Sequence, residues 1–260
     1  MNELPARFIA ALRAAVGSDN VYTDPADRWP YGQDNSRKHA QPGAVALPAT
    51  AEPIAEIVRL CNEFAVPIVA RGRGTGTTGS AVPPPGGLVI SFERMERILE
   101  MDPANRMIRV EAGTTNQAVQ DEAAQHGFFW APDPTSAAYS TVAGNIALNA
   151  GGPRSVKYGA TRENVLALSA VTGAGSVIRT GSNTTKNSTG YDLTRLLIGS
   201  EGTLAIVTEA VLKLTPLPES KRSLRAVYRD IRSATRAVAA IMAQPVIPSA
   251  LEFIDRASIE

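Results

Sequence analysis

The apolar positions of the first hundred residues follow two periods in turn. They recur at helical intervals over residues 4–16 and again over residues 54–64, which predicts two amphipathic helices. Thr50 is the expected N-cap of the second helix, and Cys61 falls on its apolar face, so we expect a buried thiol. Residues 22–39 show no period and predict an extended lead-in. Short apolar runs predict strands over residues 44–47, 66–70 and 88–92.

A turn at residues 102–105 opens a second unit with the same mixture of elements. Thr114 and Gln117 have the spacing of a capping box for a helix that runs to Gln125. A short apolar helix is predicted over residues 193–198. Strands are predicted over residues 107–112, 128–130, 164–171, 176–180 and 203–214, the third and fourth joined as a hairpin.

The pattern changes again beyond residue 220. A strand, a helix and a second strand are predicted over residues 224–228, 232–243 and 251–254, an order that starts a new unit. The expected fold class is therefore α+β, with two α/β subdomains followed by the incomplete beginning of a third domain. The predicted limits are residues 1–100, 101–218 and 219–260.

The composition excludes several classes of protein. The formal net charge is +1 and no long basic block is present, so we expect no nucleic-acid partner. The single cysteine excludes an internal disulfide, and the two histidines, His39 and His126, lack the spacing of a local metal motif. No apolar run is long enough to span a membrane, and the charges within residues 1–16 argue against a signal peptide. We therefore expect a cytoplasmic protein with no metal site.

The clearest candidate for chemistry is a glycine-rich run that directly follows the strand predicted at residues 66–70. Glycine adopts positive φ without steric cost, so the run can turn its backbone N–H groups toward one point as an anion-binding nest. Hydroxyl donors and two arginines add to this, which suits a phosphate or diphosphate. The alternative is a flexible loop that binds nothing. The run is Arg71, Gly72, Arg73, Gly74, Thr75, Gly76, Thr77, Thr78, Gly79 and Ser80.

The same run contains a dinucleotide-binding fingerprint, because Gly74, Gly76 and Gly79 have the spacing GxGxxG. In Rossmann folds a helix follows this pattern at once and presents its N-terminus to the diphosphate. Here three prolines follow, at residues 83–85, and such a series cannot form a helix interior. The run therefore predicts a phosphate loop that is not of the Rossmann type.

A second unusual stretch, residues 140–152, consists almost wholly of small side chains with three glycines and two asparagines. Small side chains let a flat or bulky ligand approach the backbone. They equally let a helix pack tightly against a sheet, and the stretch alone leaves both interpretations open.

Taken together, five motifs occur in an order that resembles one family. After the glycine run come residues 132–136, residues 141–152, residues 157–165 and residues 190–208, the last reading GYDLTRLLIGSEGTLAIVT. This order resembles the FAD-binding domain of the family named for p-cresol methylhydroxylase and vanillyl-alcohol oxidase. Within that family it is most similar to the D-type subunits of glycolate oxidase and to D-lactate dehydrogenases. The resemblance covers about residues 20–218, and residues 219–260 resemble the start of the family's cap domain.

The resemblance implies that FAD lies between the two subdomains, with its diphosphate on the glycine run. It places residues 132–136 and 141–145 near the flavin ring and ribityl chain, residues 149–152 against the cofactor, and residues 201–208 near the adenine. The implied cofactor-binding residues beyond the glycine run are Pro132, Asp133, Thr135, Ser136, Thr141, Gly144, Asn145, Asn149, Gly151, Gly152, Gly159, Glu201, Gly202, Ile206 and Val207.

The resemblance also implies a reaction, the oxidation of a small 2-hydroxy acid to the 2-keto acid. Some members bind FAD covalently through a histidine in the glycine run; here that position is Thr75, so we expect noncovalent FAD. In the relatives the groups that handle substrate come from the cap domain, including a histidine-containing metal motif. We find no such motif and assign no catalytic residue.

Two hypotheses follow. The chain is the FAD-binding part of a 2-hydroxy-acid dehydrogenase, or it is a flavin-binding fragment or subunit without turnover of its own. With one cysteine in the chain, an iron–sulfur cluster would belong to a partner subunit, and a second flavin-type subunit is the other partner that the resemblance implies.

Overall fold

The computed structural model describes residues 4–186 and 188–258, so the predicted outer limits at residues 1 and 260 lie outside the described residues. The helices in this part of the chain are α1 Ala6–Val16, α2 Pro25–Arg28, α3 Glu52–Glu63, α4 Asn116–Gln125, α5 Val142–Leu148, α6 Ser155–Tyr158, α7 Leu193–Leu197 and α8 Ile231–Met242. The strands are β1 Val21–Tyr22, β2 Ala44–Ala46, β3 Ile68–Arg71, β4 Leu88–Ser91, β5 Ile98–Asp102, β6 Met107–Glu111, β7 Phe128–Trp130, β8 Val165–Thr172, β9 Val177–Gly181 and β10 Ala205–Pro216.

The first sheet has four strands in the order β1-β2-β4-β3. The three strands β2, β4 and β3 are parallel, and β1 pairs with β2 in the antiparallel sense. The central strand β4 is buried along its whole length, as its continuous apolar run requires. Helices α1 and α3 pack together beside this sheet, and Phe8 meets Phe64 edge to face with ring centroids 5.6 Å apart. We refer to this unit as the first lobe.

The second sheet is antiparallel, in the order β5-β6-β10-β8-β9, and β7 pairs with the C-terminal part of β10. The twelve-residue strand β10 is therefore the centre of this sheet. Helix α5 packs against β10 and β6, and α4 packs against β7. The core between helices and sheet contains Trp130, Ile146 and Leu212, all fully buried. We refer to this unit as the second lobe.

The two lobes share one hydrophobic core at their junction. Ala112, Val171 and Ile206 come from the second lobe but pack into the core of the first. Polar contacts support the same junction: Arg59 donates to the carbonyl oxygen of Gly175 at 2.9 Å, and the Asn62 side chain donates to that of Gly173 at 2.8 Å. The β8–β9 hairpin is thus attached to helix α3.

Several element predictions are confirmed. The helices over residues 4–16 and 54–64 correspond to α1 and α3, and the hairpin over residues 164–180 corresponds to β8 and β9. Cys61 is 1% exposed and lies in the first core, so the expected buried thiol is confirmed.

Both predicted helix caps are wrong. Helix α3 has Ala51 rather than Thr50 at its N-cap and has no side-chain cap. Helix α4 is capped by Thr115, whose Oγ1 accepts from the amide of Ala118 at 3.1 Å. Thr114 is buried and donates to the carbonyl oxygen of Arg97 instead. In both cases the N-cap is one residue later than predicted. Tertiary packing, which the sequence pattern does not show, decides at which residue the helix begins.

Two further segments differ from their predictions. Residues 22–39 are not extended throughout, since α2 and a 3₁₀ turn at Trp29–Gly32 interrupt them. Asp24 caps α2 by accepting from the amide of Ala26 at 2.8 Å. Strand β5 was not predicted, because its residues alternate weakly and its pairing with β6 is non-local.

The strands predicted over residues 224–228 and 251–254 are not formed among the described residues, whereas the helix between them is confirmed as α8. A strand needs a neighbouring strand for its hydrogen bonds, while a helix satisfies its own backbone. Leu224 and Val227 are 98% and 84% exposed, which is consistent with the lack of a partner. Within the described ranges, no helix has the length and apolar character needed to cross a membrane.

We predict that Cys61 resists alkylation in the folded protein. Burial raises the pKa of the thiol to about 12, and only the thiolate is a good nucleophile. Iodoacetamide near pH 8 should leave the folded protein unmodified and label the same cysteine fully in denaturant, which intact mass spectrometry measures. Rapid labelling of the folded protein would contradict the burial of this side chain.

Candidate cofactor-binding site

A cleft lies where the two lobes meet, between the end of β3, helix α5 and the start of β10. These elements converge because β3 ends at the junction and α5 packs on β10. Part of the sequence-predicted set lines this cleft, namely Arg71, Gly72, Thr141, Gly144, Gly202, Ile206 and Val207.

Small residues allow the backbones to approach closely at the floor of the cleft. A Cβ atom added to Gly72 would stand 2.3 Å from the Oγ1 atom of Thr141. That oxygen is fixed in place, because it caps α5 by accepting from the amide of Gly144 at 3.1 Å. The glycine at position 72 therefore lets the first lobe contact the start of α5 directly.

The glycine run forms a loop with strongly turned backbone. Gly74 and Gly79 have positive φ, +66° and +88°. Among the described residues, no backbone amide of residues 72–78 donates a hydrogen bond to another protein group. A loop with several free amides and positive-φ glycines has the donor set that a diphosphate requires.

The two arginines of the loop have protein partners. Arg71 is 8% exposed and donates to the carbonyl oxygens of Gln33 at 2.6 Å and Pro30 at 3.2 Å. Arg73 forms an ion pair with Glu96 on the surface. Both arginine side chains, which the sequence suggested for phosphate binding, thus contact other protein groups. The backbone amides are the donors of the loop that remain free to bind an anion.

Glu201 connects the loop with the second lobe. Its Oε2 atom accepts from the Thr78 hydroxyl at 3.1 Å, and the Ser80 hydroxyl lies 3.1 Å from the Thr78 Oγ1 atom, to which it donates. The amide of Glu201 donates to the carbonyl oxygen of Ala147 at the end of α5, at 2.9 Å. The residue has a left-handed φ of +52°, which fixes the turn into β10.

The predicted residues at 132–136 and 149–152 contact one another beside the cleft and are not part of its lining. Asp133 binds Arg154 through a backbone hydrogen bond of 3.2 Å and an ion pair of 3.2 Å. Burial raises the pKa of the Asp133 carboxyl, and the hydrogen bond from the Arg154 amide and the Arg154 charge oppose that rise. Gly152 lies so close that a Cβ would be 2.1 Å from the Asp133 carbonyl oxygen.

The other predicted residues in this region shape turns. Asn149 ends α5 with a φ of +48°, and its Oδ1 accepts from the Arg162 amide at 2.9 Å. Gly159 has a φ of +77° and packs against Glu163. Pro132, Thr135, Ser136 and Gly151 belong to loops that are likewise outside the cleft lining.

One predicted residue carries a polar group without a partner. Asn145 is 3% exposed, and its buried Nδ2 atom has no hydrogen-bond partner among the described residues. The neighbouring Ser140 Oγ shares this property. Unpaired buried donors are rare because they cost about 1–3 kcal/mol each. Neither side chain is part of the cleft lining. The free loop amides are the donors that fit a cofactor with phosphate oxygens such as FAD.

The cleft also contains residues that the sequence did not single out. Ala143 and Ala147 line it from α5, and Leu197 and Ser200 line it from the segment before β10. The helical period of α5 places residues 143, 144 and 147 on neighbouring faces. The sequence alone had left helix packing and ligand contact equally open for this stretch. The small-residue stretch thus packs as a helix on the second sheet and simultaneously lines the cleft.

Comparison with known proteins identifies the domain. The family model described as an FAD-binding domain matches residues 42–181, and that of the C-terminal domain of FAD-linked oxidases matches residues 217–260. The glycolate oxidase subunit GlcD of Bacillus subtilis is 43% identical over 244 residues, which cover 94% of this chain and 52% of the relative. A D-lactate dehydrogenase of Anaerostipes hadrus is 38% identical over 84% of this chain and 46% of its own.

The fold agrees with a solved structure. Crystalline p-cresol methylhydroxylase with substrate bound is 26% identical and has a TM-score of 0.72, over 82% of this chain and 44% of that protein. The chain therefore has the α+β fold of the FAD-binding domain that its motifs resemble. It spans about half the length of the curated relatives that it matches.

We predict that Gly72→Ala disturbs the cleft. The new methyl group forces the Thr141 hydroxyl away from the Gly144 amide, and overpacking of this kind costs about 1–3 kcal/mol. Chemical denaturation should show that loss, and titration of flavin fluorescence should show weaker FAD binding. The matched control is Gly173→Ala, where an added Cβ meets nothing within 4 Å. Equal stability and affinity in both variants would contradict the close contact.

Proposed function

We propose that this chain, which belongs to the family of FAD-linked oxidases, provides the FAD-binding part of an enzyme that oxidises a small 2-hydroxy acid to the 2-keto acid. The observation that carries the proposal is the cleft between two lobes with a loop of free amides on one side. The substrate class is supported by the names of the relatives, a glycolate oxidase subunit and a D-lactate dehydrogenase. Both names refer to a 2-hydroxy acid.

The proposed domain arrangement follows the two sheets. Residues 1–100 and 101–218 form the two FAD-binding subdomains, and residues 219–260 begin a cap domain. The first sheet ends with β4 at Ser91 and the second begins with β5 at Ile98, so the sheets change slightly before the proposed first boundary. The match to the C-terminal oxidase domain from residue 217 supports the second.

We assign the cofactor contacts as follows. The amides of residues 72–79 hold the diphosphate, and Thr141, Gly144 and Asn145 approach the flavin half of the cofactor. Ile206 and Val207 face the adenine end, where their backbone groups contact the base. The bound FAD supplies the two-electron acceptor, while the protein orients it and excludes water.

The groups that bind and deprotonate substrate are not assigned to this chain. Within the described residues, no group of three or more histidine, cysteine, aspartate or glutamate side chains could hold a metal ion. In the family that the motifs resemble these groups come from the cap domain, and we propose the same location for the substrate cation and base here. The alternative function is a flavin-binding fragment or subunit without turnover of its own.

The proposed partners follow from the same family. GlcD is named as a subunit, which supports a multi-subunit enzyme. We propose an iron–sulfur or second flavin-type subunit as electron acceptor and a cytoplasmic location. The single cysteine of the chain supports a cluster held by the partner.

A reduction assay tests the catalytic proposal. Protein loaded with FAD is mixed anaerobically with glycolate, D-lactate or, as a stereochemical control, L-lactate, and absorbance near the flavin band is followed. Bleaching by glycolate or D-lactate but not by L-lactate supports oxidation of 2-hydroxy acids by this chain. Retained yellow colour without bleaching supports the alternative, a flavin-binding polypeptide without turnover.

We also predict that FAD is bound noncovalently. The loop position that carries a histidine in covalently linked members is Thr75, and a threonine hydroxyl does not form that link. Precipitation of the holoprotein with acid should release all the flavin into the supernatant, measured by absorbance. Flavin that remains with the protein pellet and adds its mass to a peptide would refute this prediction.

A further inference from the structure

Arg71 occupies a position unusual for a residue of a phosphate loop. Its guanidinium is buried against residues 30–36, which we call the brace. It donates to the carbonyl oxygens of Gln33 and Pro30 and lies 5.9 Å from the ring centroid of Tyr31. These contacts hold the cation with its donors directed at the brace.

The loop folds directly over this guanidinium. An added Cβ at Gly74 would stand 2.4 Å from the Arg71 Nη2 atom and 2.8 Å from Cζ. Gly74 also has a φ of +66°, a region that other residues seldom adopt. The backbone of residues 72–76 therefore packs directly against the Arg71 guanidinium and curves around it.

The brace holds two carbonyl groups of the loop. The amide of Asn35 donates to the carbonyl oxygen of Gly76 at 2.9 Å, and its side chain donates to that of Thr75 at 3.3 Å. A trans peptide is planar, so each carbonyl points opposite to the N–H group of the next residue. Fixing these two carbonyls toward Asn35 turns the amides of Gly76 and Thr77 to the other side.

Asp34 stabilises the brace itself, because its Oδ1 atom accepts from the amide of Ser36 at 2.9 Å. The brace thus contacts the loop at its start through Arg71 and at its middle through Asn35.

We propose that Arg71 is a positioning residue, which together with the brace sets the curvature of residues 72–79 so that their amides converge on the FAD diphosphate. It does not itself bind phosphate. The inference rests on the proposed function, because it takes the loop as the diphosphate site.

Arg73 provides the natural comparison. It belongs to the same loop and carries the same charge, but its side chain is 40% exposed and pairs with Glu96, outside the brace. If only the positive charge mattered, replacing either arginine would weaken FAD binding to a similar extent. A positioning role predicts an effect of Arg71 only.

The experiment compares Arg71→Ala with Arg73→Ala in the whole chain. We expect Arg71→Ala to weaken FAD binding about tenfold or more, because the loop loses its preorganisation. Arg73→Ala should change the dissociation constant less than about twofold, as surface ion pairs contribute little. Hydrogen–deuterium exchange of the Asn35 amide, which donates to the Gly76 carbonyl oxygen, should rise without FAD in the first variant only.

Chemical rescue separates positioning from general stability. Millimolar guanidinium should restore FAD binding to Arg71→Ala by occupying the space between the brace and the loop, relative to sodium chloride of equal ionic strength. A merely destabilised variant would show no gain in FAD affinity, because millimolar guanidinium has little general effect on stability. Equal loss of affinity in both variants, or no rescue of Arg71→Ala, would overturn the proposal.

Asn35→Ala covers the case in which Arg71→Ala fails to fold, because Asn35 is exposed. Loss of its side-chain bond to Thr75 should weaken FAD binding and raise exchange of the amide at position 35, which donates to Gly76. Unchanged exchange and affinity would refute the brace. The proposed site is tested separately by the wild-type protein. If FAD does not protect residues 72–79 from exchange there, the diphosphate assignment itself is wrong.

Discussion

The absence of a side chain at Gly72 is the constraint on which the geometry between the lobes depends. It permits contact between the end of β3 and the Thr141 hydroxyl, which in turn caps α5. Helix α5 packs on β10, the central strand of the second sheet. The contact at Gly72 therefore fixes the position of the first lobe relative to the second sheet. The shared core around Val171 and Ile206 supports the same junction. A cleft with backbone on both sides results.

The polar groups around that cleft are distributed unequally. Among the described residues, donors without protein partners occur in the loop amides and, outside the cleft lining, at Asn145. The charged groups nearby are already paired, Arg71 with backbone carbonyls and Arg73 with Glu96. The loop amides are neutral dipoles whose orientation is fixed by the residues around them. They need little rearrangement when an anion binds, which suits a loop that holds a diphosphate in one place.

The chain beyond β10 shows how local and non-local structure differ. Helix α8 forms because its hydrogen bonds are local and Asp230 caps it, by accepting from the amide of Ser233 at 2.7 Å. The flanking apolar segments have strand periodicity but no paired strand among the described residues. Leu224 and Ile254 in these predicted strands are accordingly exposed. Periodicity identifies which face could be covered but supplies no partner for it.

The sequence by itself determined the α+β class, most helices and strands, the buried Cys61, and the glycine loop with its family. These depend on local periods, on glycine conformations and on motif order, all of which are properties of short stretches. Only the tertiary structure decided the rest: that Arg71 is engaged by residues 30–36, that Thr115 and not Thr114 caps α4, and that Ala143 and Leu197 line the cleft. Each of these depends on groups distant in sequence, because the partner of a buried donor is whichever acceptor the packed chain brings within hydrogen-bond distance.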